Sequence, residues 1–264
     1  MVLRELDRPK ESLLPSTIVY AGASPKRTAL LEMLLEDQGT TLLTCPFPFE
    51  PNDQDAGVVA QYKRVVALSE LGLPPDKSLV IAADTQTSVV LEDGRLLPRN
   101  KPRNPEEILA NFRAMETGAY EVNAATVFFN DGQCIEDSLR CRVGLRGDVL
   151  AALQTRVGLA EYCRLAQQFY SEPPYSTSGF PPMGLKDMSG GISLPVLRRM
   201  DGIESINGSN LLELPSDELH DVLKEALFTV AVGLSPRLLE RINPKARQII
   251  YNWSWLTQTT DKLV

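Results

Sequence analysis

The sequence predicts an α/β protein, in which strands of a covered sheet alternate with helices. Residues 16–23 read STIVYAGA, a short apolar strand, and a helix begins directly after it at Ser24 and Pro25. Residues 78–83 read SLVIAA and are apolar on both faces, as expected for an interior strand covered from both sides. Residues 120–143 form a hairpin around an Asn-Asp-Gly turn. These three observations give the fold class.

Helix signals recur along the chain. A serine cap followed by proline opens a helix over 24–39, and the sequence Asn-Pro-Glu-Glu opens another over 104–118. The pattern over 149–170 is helical, and a loop rich in proline, serine and glycine follows it. Further helices are predicted over 216–230 and, after a second Ser-Pro pair, from Ser235 onward.

The composition indicates a folded protein with an acidic surface. Its 264 residues are 43% hydrophobic and 23% charged, close to globular averages, which excludes a disordered or collagen-like chain. Lys and Arg total 27 against 34 acidic residues, so the net charge of -7 does not attract nucleic acid. No apolar run approaches the about 20 residues that span a bilayer, and the first residues lack a signal-peptide core. We therefore expect a cytoplasmic protein that binds neither nucleic acid nor membrane.

Cysteine and histidine do not suggest a zinc site or a histidine-based triad. The four cysteines, Cys45, Cys134, Cys141 and Cys163, show no CxxC spacing. The sole histidine, His220, lies in a polar helical stretch, which favours a surface position.

A first polar cluster lies at the start of the first helix. Ser24, Lys26 and Arg27 directly follow a strand, where free backbone N–H groups and the helix dipole favour an anion. Neither GxxxxGK[ST] nor GxGxxG occurs in the sequence, so this is not a Walker or Rossmann loop. An ordinary capped helix with two solvated cations is an equally good interpretation of these residues alone.

Two further clusters follow the apolar strand over 78–83. Asp84 stands at the predicted carboxyl end of that strand, where open α/β sheets bind ligands, although a turn-forming aspartate fits equally well. Arg99, Lys101 and Arg103 place three cations in five residues, and the following proline holds Lys101 extended. For Arg99 and Arg103 we favour solvated loop charge.

Together the three clusters suit a polyphosphate, with cations to hold it and a carboxylate to hold magnesium or to activate water. Glu50, in the stretch PFPFEPND, is a candidate second carboxylate.

Several segments, in this order and spacing, resemble motifs of the Maf-like nucleotide pyrophosphatases. YAGASPKRTALL resembles their SxxRxxLL opening, and VIAADT with the later Asn-Lys-Pro resembles their ADT and KP motifs. TGAYEVNAATVFF resembles their SGxxHxVxT strand, with Tyr120 in place of the histidine, and MDGIESINGSNLLELP resembles their closing segment. Residues 185–199 depart from the family and lack its glutamine. The similarity covers about residues 17–226.

The resemblance implies a long curved mixed sheet flanked by helices, with a central cleft, over residues 17–230. Residues 1–16 and 231–264 would be extensions. It also implies a house-cleaning nucleoside triphosphate diphosphatase that uses Mg²⁺. Its substrate would be a pyrimidine or non-standard nucleoside triphosphate, hydrolysed to the monophosphate and pyrophosphate. Whether the protein forms a homodimer is left open.

The resemblance further implies a role for individual residues. The positions that would bind substrate are Ser24, Lys26, Arg27, Thr85 and Lys101. Asp84 would be the catalytic base, and Glu50 and Asp84 would hold the metal. Lys26 and Thr85 stand at two positions that differ within the family. One group there resembles thymidine and uridine triphosphate hydrolases, and the other resembles methylated guanosine triphosphate hydrolases. The residues in this sequence favour a pyrimidine substrate.

Two other functions are weighed against this one. A nucleotide-binding or regulatory protein that has lost turnover is the alternative, because the segment Lys186 to Leu194 is altered. A phosphatase of the haloacid dehalogenase type would need a second aspartate two residues after Asp84, and that position is Gln86.

Overall fold

One mixed β-sheet with helices on both faces organises the chain, and this confirms the predicted α/β class. The computed structural model describes residues 17–36, 38–46, 55–72, 79–99, 104–170 and 202–251. The strands are β1 (Thr17–Ala21), β2 (Thr41–Thr44), β3 (Leu79–Val90), β4 (Leu96–Arg99), β5 (Ala119–Asn130), β6 (Gln133–Leu145), β7 (Ile203–Ile206) and β8 (Ser209–Asn210). The sheet order is β2-β1-β3-β5-β6-β7-β8, with β4 also paired to β3.

The helices surround this sheet, and no helix in the described ranges is long and apolar enough to cross a membrane. They are α1 (Pro25–Leu35), α2 (Ala56–Leu71), α3 (Pro105–Arg113), α4 (Gly147–Leu153), α5 (Arg156–Tyr170), α6 (Ser216–Leu227), α7 (Pro236–Ile242) and α8 (Ala246–Tyr251). A π-helical turn, Phe228–Val232, continues directly from α6.

Strand β3 is covered by apolar side chains on both faces, as predicted. Ile81 and Ala83 belong to the larger core, which also contains the inner face of α1. Val80 and Ala82 belong to a smaller core, which is closed by α2. Consecutive strand residues point to opposite faces, so this one strand contributes to both cores.

The predicted hairpin and helix starts are confirmed where the structure describes them. β5 and β6 pair antiparallel around Asp131 and Gly132, which both have positive φ, as a two-residue hairpin turn requires. The Ser24 hydroxyl accepts from the N–H of Arg27 at the start of α1. The Asn104 side chain does the same for Glu107 at the start of α3.

Three predicted boundaries were wrong. The strand expected to end at Asp84 continues to Val90, because its polar residues still pair along the whole of β5. The helical pattern over 149–170 divides into two helices, since the Thr155 hydroxyl caps a new start by accepting from Gly158 N–H. The last helix breaks at Pro244, which has no N–H to donate. The Pro-, Ser- and Gly-rich loop that follows α5 lies outside the described residues.

The described part of the predicted C-terminal extension packs into the larger core. Leu234, Leu239 and Ile250 are at most 1% exposed there. The Asn243 amide donates to the Leu34 carbonyl at the end of α1, 3.0 Å away. Residues 1–16 of the predicted N-terminal extension lie outside the described residues.

Candidate active site

A four-residue gap interrupts one edge of β3. The other edge pairs with β5 from Val80 to Val89. On the interrupted edge, β1 pairs with residues 79–82 and β4 pairs with residues 87–90. Among the described strands, none pairs with that edge at residues 83–86, which we call the β3 gap. At the β3 gap the neighbour of β3 on this edge changes from β1 to β4. Open α/β sheets bind ligands where neighbouring strands part in this way, and Asp84 lies within the gap.

Arg27 of α1 holds β3 at the gap. Its Nη1 donates to the Ala83 carbonyl at 3.3 Å, and its Nη2 donates to Thr85 Oγ1 at 2.5 Å. Its Nε donates to the Val232 carbonyl, 3.1 Å away in the π-helical turn. The guanidinium therefore fixes the Ala83 carbonyl and the Thr85 side chain, on either side of Asp84, and joins them to the segment that follows α6.

Gly233 lets the chain approach this arginine closely. Its φ is +63°, and an added Cβ would overlap Arg27 Nη2 and lie 2.5 Å from Thr85 Oγ1. A side chain at this position would be strained by the backbone angle and blocked by the guanidinium. Only glycine satisfies both conditions.

Ser235 anchors the same segment two residues later. Its N–H donates to Thr126 Oγ1 at 2.9 Å, and its hydroxyl donates to Asp137 Oδ2 at 2.5 Å. The hydroxyl oxygen also accepts from the N–H of Leu238 and so caps α7. Ser235 is fully buried, so these bonds hold the segment against β5 and β6 within the core.

A buried ion pair lies on the opposite face of β3. Lys63 Nζ of α2 is 2.9 Å from Asp84 Oδ1, and their side chains are 3% and 11% exposed. Lys63 occupies the inner face of α2, one turn from Val59 and one turn from Ala67, which are both buried. Little water reaches the pair, so the attraction between the two charges is only weakly screened.

Lys63 was missed in the sequence analysis. Lys63 stands four residues after Val59 and four before Ala67, in line with an apolar helical stripe. That spacing could have predicted it, because a lysine on a buried stripe needs a partner for its charge. The structure supplies Asp84 as that partner.

The predicted site residues are thus brought together in two groups. Asp84 and Thr85 are consecutive and point to opposite faces of β3. Thr85 meets Arg27 on the face of the larger core, and Asp84 meets Lys63 on the face of α2. Ser24 stays beside Arg27 as the cap of α1.

Other predicted site residues are not placed by the structure. Lys26 lies in α1, but its side chain is outside the described residues, and so are Glu50 and Lys101. Within the described ranges, no group of three or more histidine, cysteine, aspartate or glutamate residues could hold a metal ion.

The fold and the site define a class: an α/β protein with a mixed sheet and a buried lysine–aspartate pair beside a break in strand pairing. No protein-family model and no curated protein matches the chain. It is similar to the solved structure of a nucleoside-triphosphatase, or dITP/XTP pyrophosphatase, from Mycobacterium abscessus, with 19% identity over 49% of this chain and 74% of that one and a TM-score of 0.35.

Two further solved structures are similar to the chain. One is the Ham1 protein of Staphylococcus aureus, with 14% identity over 48% of this chain and 69% of that one and a TM-score of 0.33. The other is a HAM1 protein from Coxiella burnetii, with 13% identity over 95% of this chain and 98% of that one and a TM-score of 0.41. At these identities and TM-scores, the function has to be argued from the site and from the motifs.

Proposed function

We propose that the chain is a nucleoside triphosphate pyrophosphatase, which cleaves a nucleoside triphosphate between its α and β phosphates. The observation that carries this proposal is the buried Lys63–Asp84 pair at the β3 gap. It is supported by the order and spacing of the motifs that resemble the Maf-like family. A carboxylate held in place by a buried cation is suited to work on one water molecule at a fixed position.

In this mechanism Asp84 positions or deprotonates the attacking water. Lys63 holds the carboxylate through the 2.9 Å bond and places a positive charge next to it. Charge develops around the α-phosphorus during attack, and fixed cations in a site with little water stabilise that charge strongly.

Mg²⁺ fits the chemistry of this site. It accepts one or two carboxylates and takes its remaining ligands from water and substrate phosphates. We propose that Asp84, with Glu50, holds the ion, which when bound would neutralise phosphate charge. Asp84 offers a hard oxygen donor of the type that Mg²⁺ prefers.

The start of α1 is the proposed phosphate end of the site. Ser24 is the cap of α1, Lys26 and Arg27 belong to its first turn, and a helix N-terminus favours anions. Arg27 also brings its positive charge to the β3 gap, where it donates to the Ala83 carbonyl and to Thr85. Lys101 would add a cation after β4. A cytoplasmic location stays a prediction from the sequence, and the question of a homodimer stays open.

The first expected result is that pyrophosphate is the inorganic product. In the described ranges the β3 gap presents a carboxylate and cations, with no cysteine or histidine described there to form a covalent phosphoenzyme. Purified protein free of pyrophosphatase should be incubated with a panel of nucleoside triphosphates and Mg²⁺, measuring pyrophosphate against orthophosphate. Orthophosphate alone would exclude the proposed reaction. Binding of nucleotide without any product would favour the regulatory alternative.

The second expected result is a preference for a pyrimidine. A cation at Lys26 and a small hydroxyl at Thr85 can hydrogen-bond pyrimidine carbonyls, and no stacking indole is present at the corresponding positions. Values of kcat/KM for deoxythymidine, uridine and 7-methylguanosine triphosphates test this directly. A clear preference for the methylated guanosine nucleotide would show that these two residues do not set the choice of base.

A further inference from the structure

Two buried polar atoms lie opposite one another where β3 meets β4. Thr87 Oγ1 and Arg99 Nε are shielded from solvent, and neither has a hydrogen-bond partner among the described residues. Thr87 as a whole is 1% exposed. The two residues are direct partners in the antiparallel ladder, so their side chains stand on the same face of the sheet.

Buried groups of this kind are uncommon in folded proteins. A buried N–H or hydroxyl without a partner has lost its bonds to water and gained none in return. A single such atom could reflect local packing, but here two occur at directly paired positions. One of them is the Nε of Arg99, a residue that is only partly buried as a whole, so the burial applies to this N–H and not to the whole guanidinium.

The position of Arg99 was wrongly anticipated. The sequence favoured solvated loop charge for it, whereas the structure makes it the last residue of β4 and buries its Nε. It differs in this respect from Arg95, in the same β3–β4 hairpin, whose side chain is 76% exposed and pairs with Asp93.

The pair also lies next to the candidate active site. Thr87 follows Thr85 by two residues, so both side chains point to the same face and lie roughly 7 Å apart along β3. Thr85 is bonded to Arg27 on that face. A row of polar groups therefore leads from the start of α1, past the β3 gap, to Arg99.

The chemistry of the two atoms identifies the missing partner. The Nε–H of arginine only donates, and a threonine hydroxyl can donate beside it. The guanidinium is always charged. The complement of these groups is a negatively charged oxygen, and arginine binds carboxylate and phosphate oxygens in this way. Of these two, phosphate is the one that the substrate of the proposed function supplies.

We propose that Thr87 and Arg99 form an anion subsite on the Arg27 face of β3. It would bind a phosphate oxygen of a substrate that reaches across the β3 gap from Asp84, which lies on the opposite face. The identity of that substrate rests on the proposed function. The ability of the subsite to bind an inorganic phosphate chain does not rest on that function, because it follows from the two unpartnered atoms, Thr87 Oγ1 and Arg99 Nε.

The test is a calorimetric titration of the protein with inorganic pyrophosphate. The variants are Arg99→Gln and Thr87→Val, and the matched control is Arg95→Gln, which removes an exposed arginine from the same hairpin. Arg99→Gln should raise Kd about tenfold or more, because it removes a charge-assisted hydrogen bond. Thr87→Val should raise Kd about threefold or more, and Arg95→Gln should leave it unchanged. Equal affinity in the wild type and both variants would overturn the subsite.

A second measurement separates binding from folding. Without pyrophosphate, Thr87→Val should melt at the same temperature as the wild type or higher, since it removes a buried hydroxyl that has no partner. With pyrophosphate, the wild type should gain more in Tm than the variant does. A clear loss of Tm in the free variant would show that the hydroxyl is bonded within the protein and would overturn the proposal.

The outcomes also distinguish this inference from the proposed function. A wild type that hydrolyses no nucleoside triphosphate, yet binds pyrophosphate through Arg99, would exclude the function and support the subsite. The opposite result is a wild type that hydrolyses nucleotides while Arg99→Gln changes neither KM nor the Kd for pyrophosphate. That result would support the proposed function and exclude the subsite.

Discussion

Asp84→Asn should lower kcat by about 100-fold or more, because the amide can neither accept a proton nor carry the charge that holds a metal. The amide oxygen can still accept from Lys63 Nζ, as the carboxylate Oδ1 does at 2.9 Å. The variant leaves the buried Lys63 ammonium without a counter-charge and should lose stability, but the remaining hydrogen bond should let it still fold, which far-UV circular dichroism checks. Its loss of activity should lie mainly in kcat.

A matched control is Asp131→Asn. Asp131 is an exposed residue with positive φ in the β5–β6 turn, a conformation that asparagine adopts readily. It should keep full activity. Near-normal turnover by Asp84→Asn would mean that Asp84 serves only as the partner of Lys63, and the proposed mechanism would be wrong.

Lys63→Met should reduce the free energy of unfolding by about 3–5 kcal/mol. The substitution preserves the length of the side chain but leaves the Asp84 carboxylate buried without a counter-charge, which is the costly way to break a buried pair. Denaturant unfolding measures the effect as a shift of the midpoint at constant m-value. The pair is 3% and 11% exposed, so water can compensate only weakly.

The double variant Lys63→Met with Asp84→Asn completes the test. It carries no unpaired charge, so it should be more stable than Lys63→Met alone, and the two substitutions should be strongly non-additive. Lys245→Met, at an exposed turn, is the control and should change stability by less than about 0.5 kcal/mol. Additive effects in the cycle would show that the two residues do not interact energetically.

The starts of helices could be predicted from the sequence because their signals are local. Ser24, Asn104 and Ser235 each accept a hydrogen bond from the N–H three residues later. The bond forms within one turn of chain, so residue type and spacing are sufficient to predict it. The hairpin at Asp131 is predictable for the same reason.

The extent of β3 and the partners of the site could not be predicted in this way. β3 continues through a polar stretch because β5 pairs with it, and that pairing depends on residues far along the chain. Lys63 and Asp84 are 21 positions apart, and Arg27 and Val232 are 205 apart. Residue spacing carries no information about which of many distant groups will meet.

The bond between Arg27 and the Val232 carbonyl has a consequence for the synthesis of the protein. A ribosome adds about 5–20 residues per second, so roughly 10 to 40 seconds separate the appearance of these two residues. The first strand and helix leave the ribosome long before the segment that holds their arginine in place exists. Asn243 and Leu34, 209 positions apart, impose the same delay. The Arg27 side of the candidate active site is therefore fixed only after residue 232 has been made, and every shorter nascent chain carries it unlocked.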